Sequence, residues 1–142
     1  MSLRIYDATV EAGANAMWDK ADDGASFGKI VIHTGGQPAL NGALTGTLLA
    51  EFTLSDPAFG AAAASGSGAV KTLAGLPKTD ASAAATGTAG YGALLDSDDN
   101  VKLTGTVTAS GGGGDFEIDN VSITITQEVQ LTAYTGTLPQ SV

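Results

Sequence analysis

From Lys29 onward the apolar side chains fall at every second position in short runs, and turn-forming residues interrupt the runs about every 8 to 12 residues. A segment with that period turns one face to a core and the other to solvent, which is the geometry of a strand. KIVIHT (residues 29–34) is a β-branched strand closed by Gly35-Gly36-Gln37-Pro38. Leu48, Ala50, Phe52 and Leu54 alternate with Leu49, Glu51 and Thr53 until Asp56-Pro57 stops the run. Residues 58–69 are small and read as a loop, and residues 70–76 as a short strand ended by Pro77. Ala83, Ala85, Gly87, Ala89, Tyr91 and Ala93 share one side of a weakly alternating strand. Asp96 to Asn100 form a hairpin turn into the clean alternation of Val101, Leu103, Gly105 and Val107. Gly111 to Gly114 read as a flexible hairpin tip. Phe116 and Ile118 take one parity and Val121, Ile123 and Ile125 the other, so a bulge or tight turn is expected at Asp119-Asn120. Val129, Leu131 and Ala133 make the last strand.

Ahead of the strands the period is different. Leu3, Tyr6, Val10, Ala14, Met17 and Ala21 recur at spacings of three and four, which predicts an amphipathic helix over residues 3–22. Asp7, Glu11, Asn15 and Asp19 form a polar stripe along it, and Asp22-Asp23-Gly24 ends it. The expected fold class is all-β: a β-sandwich of seven or eight strands, the jelly roll being one form of it, with one N-terminal helix. At 142 residues the chain has the size of a single domain, 1–142, with the helix at 3–22 and the sandwich at 29–137.

Charge removes several functions. Six basic against fifteen acidic residues give a net charge of −9, and the lysines are scattered, so neither nucleic acid nor an anionic membrane is an expected partner. Without cysteine there is no disulfide and no thiolate metal site. The N-terminus has no uninterrupted apolar core and no stretch approaches a membrane span, so synthesis in a cytoplasm is expected. Only 15% of residues are charged, which suits surfaces that touch other subunits, because charges are costly to desolvate.

Sequence fragments of catalytic and metal sites lack their context. Gly24-Ala25-Ser26-Phe27-Gly28 matches the G-x-S-x-G pattern, but it lies between a helix and a strand in the reverse of the order that exposes a nucleophile. His33, the sole histidine, reads as an ordinary strand residue. Asp96, Asp98, Asp99 and Asn100 resemble a calcium loop, yet the sixth and twelfth positions are Val101 and Val107. Glu51, Glu117 and Asp119 could pair as glycosidase carboxylates only in a cleft with aromatic platforms. Asn120-Val121-Ser122 is a glycosylation sequon without a route to the machinery. No catalytic, metal or cofactor residues are therefore expected, and no enzymatic activity.

Two stretches carry a resemblance. KIVIHTGGQPA with TGTLLAEFTLSDPAFGAAA, and ATGTAGYGALLDSDDNVKLTGTVT with DFEIDNVSITITQEVQLTAYTGTLP, resemble a group of small proteins encoded in tailed-bacteriophage structural gene clusters. Those open with a short helix, carry a LLAE-strand-DPAFG segment and a DSD hairpin, and close with a pair of strands. This chain has Gln127-Glu128 where the group carries a glycine. The resemblance implies a virion structural role: a capsid decoration (cement) protein bound to the major capsid protein, or a tail-associated adaptor or fibre accessory. A carbohydrate-binding sandwich is the further alternative. In each virion reading the partners are other subunits in a homo-oligomer or symmetric array, met through β-edge addition and apolar contacts. The helix and the loops at 35–47 and 57–69 are the first places to look. Trp18, Pro38 and Phe59 are the candidate partner contacts, Trp18 having the plainer alternative of flanking its own core.

Overall fold

In the computed structural model, which describes residues 3–141, the helical period becomes α1 (Asp7–Trp18), extended by a 3₁₀ turn at Asp19–Asp22. The period-two runs become β1 (Lys29–Thr34), β2 (Leu48–Thr53), β4 (Gly68–Thr72), β6 (Gly87–Leu95), β7 (Val101–Ala109), β8 (Phe116–Ile118), β9 (Ser122–Ile123) and β10 (Val129–Pro139). Two strands have no apolar alternation to announce them, β3 (Ala63–Ala64) and β5 (Lys78–Asp80). The strand order is β2-β1-β6-β7-β8-β10-β4-β3, with β5 paired to β10 and β9 to β6. This is the expected all-β class with one N-terminal helix. The sheet is a single curled one: Ile30, Ile32 and Phe52 from its first half share a core with Phe116, Ile118, Leu131 and Tyr134 from its second.

The helix starts four residues later than the period predicts. Tyr6 stands at its N-cap and has no side-chain oxygen in reach of the first turn. The preceding segment is extended, with the Ile5 amide donating to the Gln140 carbonyl and Arg4 bridged to Ser141. Leu3 and Tyr6 are consequently exposed and do not belong to the buried face, which is Val10, Ala14, Trp18 and Ala21. Trp18 replaces Met17 on that face. Its indole lies flat over Gly136 of β10, where a Cβ would stand 2.1 Å from the ring. Its Nε1 donates to the Tyr134 hydroxyl at 2.8 Å. Burial pushes the Tyr134 phenol up to about 12, against the opposing pull of that indole N–H.

The glycine run after β7 is not a hairpin tip. β7 and β8 are parallel, with Val107, Thr108 and Ala109 opposite Phe116, Glu117 and Ile118. Parallel neighbours ordinarily need a long crossover. Here six residues suffice, because the chain doubles back along β7 before resuming its direction. Gly111 and Gly113 have φ of +84° and +82°, a region costly for other residues. Gly112 and Gly114 lie against Thr108, where a Cβ would come within 2.7 and 2.9 Å of its atoms. The Glu117 carboxylate accepts the amides of Gly111 and Gly113 and holds the loop in place.

The small-residue stretch from 58 to 69 is also ordered. Ala58 and Phe59 are buried, Phe59 is bridged to Leu73, and Ala63–Ala64 pairs with β4. At Asp119-Asn120 the expected register change carries the chain from β8, which pairs with β10, to β9, which pairs with β6. The Asp119 carboxylate caps that crossing by accepting the amides of Asn120 and Gln130.

Candidate functional site

Two of the three candidate partner contacts lie inside. Trp18 and Phe59 are each only 3% exposed, so both fill the chain's own core and neither is a surface anchor. Phe59 packs edge-on to Tyr134 with ring centroids 5.7 Å apart. For Phe59 the reason is the polar stripe of α1 together with Asp22 of the 3₁₀ turn that follows it. The Asp22 carboxylate accepts the Ala58 amide, the Asn15 carbonyl oxygen accepts the Ala62 amide, and the Glu11 carboxylate accepts the Ala64 amide. The stripe is thus the seat on which the 58–64 segment lies. Burial raises the Asp22 carboxyl above its usual range, with the Ala58 amide opposing.

Pro38 is the third, and it sits on a surface of a different kind. The 35–47 loop is fixed at its base: the Tyr91 hydroxyl donates to the Thr45 carbonyl at 2.6 Å and accepts the Thr45 amide at 2.9 Å. His33 stacks on the Tyr91 ring and its Nδ1 lies 3.1 Å from the same carbonyl. The Thr47 amide donates to the Thr34 hydroxyl. Beyond this anchored base the tip, residues 38–42, leans over Val101 to Thr104 of β7 and encloses a shallow hollow of about 280 Å³. Leu40 projects from the tip at 93% exposure, and Val101 across the hollow is also exposed. Sequence reasoning missed Leu40, although the signal was present: a leucine directly ahead of Asn41-Gly42 stands on a turn, with no strand or helix to bury it.

The titratable groups are engaged in holding the fold. Asp96, 2% exposed, begins the β6–β7 turn and accepts from the amides of Asp98 and Asn100 and the Asn100 side chain. Lys102 lies 2.8 Å away. Burial alone would raise the Asp96 carboxyl. The Lys102 ammonium and the Asn100 and Asp98 donors outweigh it and hold the group well below the usual carboxylate range. Asp99 pairs with Lys29, which stands above the ordinary ammonium range chiefly for that reason. The five-residue turn is thereby held by its own carboxylates, which clasp Lys102 of β7 and Lys29 of β1. Glu51 faces Lys29, Glu117 holds the glycine loop and Asp119 caps a strand crossing, so these three carboxylates serve three separate places. In the Gly24–Gly28 segment, a Cβ on Gly28 would meet the Ala21 carbonyl at 2.3 Å. The segment is the close passage from helix to sheet.

One polar cluster escaped the sequence altogether. Lys71, in the middle of β4 and 1% exposed, runs beneath α1 and places its Nζ 2.8 Å from the Asn15 carbonyl oxygen and 2.8 Å from the Asp19 carboxylate. Its strand reads only as a short one, so nothing in the local pattern marks the lysine as interior.

The strands at the ends of the sheet are partly covered. On β2 the Glu51 amide donates to the Asp80 carboxylate and the Leu49 carbonyl accepts from Ala84. Beside β3, the Ala62 and Ala64 amides go to α1 side chains. These contacts occupy part of the backbone that β-edge addition would use. Among the described residues no helix is long and apolar enough to cross a membrane, and no group of three His, Cys, Asp or Glu side chains could hold a metal ion. Comparisons with protein-family models, with curated proteins and with solved structures find no match to this chain.

Proposed function

We propose that the protein is a non-enzymatic structural subunit of a tailed-phage virion, and that it decorates the outer shell by binding the major capsid protein. The observation that carries this reading is the 35–47 loop, rigid at its base and apolar at its exposed tip. A preorganised loop loses little conformational freedom on binding, so a leucine presented this way is an efficient anchor. The engagement of Asp96, Glu51, Glu117 and Asp119 in structural bonds supports a binding role over catalysis. The resemblance of LLAEFTLSDPAFG and its flanking strands to small phage structural proteins supplies the setting. A tail adaptor or fibre accessory would use the same surface in fewer copies.

Copy number per particle tests the reading. Quantitative mass spectrometry of purified virions against the major capsid protein should give a ratio near one-to-one or another simple icosahedral fraction of it. A count of a few dozen or fewer would remove decoration and move the protein to the tail or neck.

A further inference from the structure

The cluster beneath α1 has the composition and placement of an acyl-transfer site. Asn15 of α1 and Asp19, which opens the 3₁₀ turn continuing it, stand four residues apart along one side. Lys71 reaches both from β4, opposite Gly136, the residue over which the Trp18 ring lies. Two donors meet at the Asn15 carbonyl oxygen, the Lys71 amine at 2.8 Å and the Ala62 backbone N–H at 2.9 Å, and together they fix which way the amide points. An ion pair to Lys71 needs only Asp19. The amine thus lies beside the amide carbonyl, and a backbone N–H is already aimed at the oxygen on which charge would develop in an attack at Cγ.

We propose that Lys71 and Asn15 form an intramolecular isopeptide bond, with Asp19 carrying the proton. Lys71 Nζ, paired with Asp19, first gives its extra proton to solvent by way of the Asp19 carboxylate; the amine then forms a bond to Asn15 Cγ while Asp19 takes the second proton that Nζ gives up. The charge developing on Oδ1 is held by the Ala62 N–H. Asp19 then passes the proton to Nδ2, the Cγ–Nδ2 bond breaks, and ammonia leaves. One amine and one primary amide become one secondary amide and ammonia, with no change of oxidation state. Asn15 is half-buried and Asp19 is open to solvent on its outer side, so the leaving group has an exit. The product ties the N-terminal helix covalently to the sheet across 56 residues of chain. The inference is independent of where the protein is deployed.

Intact mass of the purified full-length chain tests it. The expected result is a protein lighter than its sequence by one ammonia. Trypsin, blocked at a modified Lys71, should then release residues 5–20 joined to residues 30–78. The Lys71→Arg variant should have its full sequence mass. Asp19→Asn should keep the partners in place and slow the reaction at least tenfold, seen as full-mass protein that converts on incubation. A wild-type chain that retains its full mass after prolonged incubation overturns the proposal. So does an ammonia loss that persists in Lys71→Arg, which would be cyclisation of Asn15 on its own backbone. A loss of water instead would make Asp19 the acyl donor and overturn the assignment to Asn15. Should Lys71→Arg fail to fold, the linked peptide from the wild type decides alone.

Discussion

Several bonds converge on Asp96 in a small space. Its carboxylate satisfies two backbone amides and the Asn100 side chain and pairs with Lys102. Because its pKa is lower in the folded chain than the ordinary 3.8, the folded state binds the proton less readily than the unfolded state. The stability it contributes is therefore fully present above pH 4 or so and is lost as the pH falls below the unfolded value toward the folded one. Lys102 works in the opposite sense: raised by Asp96, it contributes at every pH below its ordinary 10.5 and fails only in strong alkali. The melting temperature should hold from neutral pH to about 5 and then fall. Asp96→Asn keeps an acceptor for the amides but leaves Lys102 without its close counter-charge. It should cost about 2 kcal/mol at neutral pH and flatten the acid decline. Melting curves of both proteins across the acid range check this. An undiminished decline in the variant would place the acid lability in other carboxylates.

Among the elements, the glycine loop between β7 and β8 makes a graded prediction. Gly111 faces open space and needs only its positive φ, so Gly111→Ala should cost about 1 kcal/mol. Gly112 touches Thr108 and the Ala109 carbonyl, and Gly112→Ala should cost more, about 1–3 kcal/mol, because the backbone must shift. Urea unfolding gives the order, and equal costs would mean that the doubling-back is looser than described. Four consecutive glycines were legible as a turn, but their division into two of unusual φ and two of close approach was not. That division depends on β8 running parallel to β7, a long-range fact. The same limit shows in α1. Its period identified Val10, Ala14 and Ala21 as buried, yet placed Met17 inward where Trp18 belongs. The choice was made by Gly136, 118 residues downstream, whose bare backbone accepts the flat indole. The polar stripe was legible as a stripe. Its use as a seat for residues 58–64 was not, since backbone amides from a small-residue segment leave no trace in the pattern. Strands with alternating β-branched and aromatic residues were placed within a few positions, whereas β3 and β5 are held by their neighbours alone.

For the whole molecule, a net charge of −9 and a surface poor in cations restrict how any partner could be bound. Lys29, Lys71 and Lys102 are all paired within the chain, so opposite-charge pairing across an interface would have to draw its cations largely from the partner. Leu40, at the apolar tip, is the most exposed large hydrophobic side chain among the described residues. Leu40→Asp should leave the melting temperature nearly unchanged, within about 0.5 kcal/mol of stability, because the side chain is solvated in the free protein. If the tip is buried against a shell, the substitution forfeits the transfer of a leucine, about 1.5–3 kcal/mol, and adds the desolvation of a carboxylate. Affinity for particles lacking the protein should then fall by more than tenfold. Co-sedimentation of wild-type and variant protein with such particles reads the difference directly. Equal binding would show that the contact lies elsewhere, and the exposed Leu3–Tyr6 arm, beside the paired chain ends, would be the next surface to alter. A loss of binding in Leu40→Asp that is restored by Leu40→Met would assign the contact to apolar burial, since methionine retains the volume and hydrophobicity without the branch.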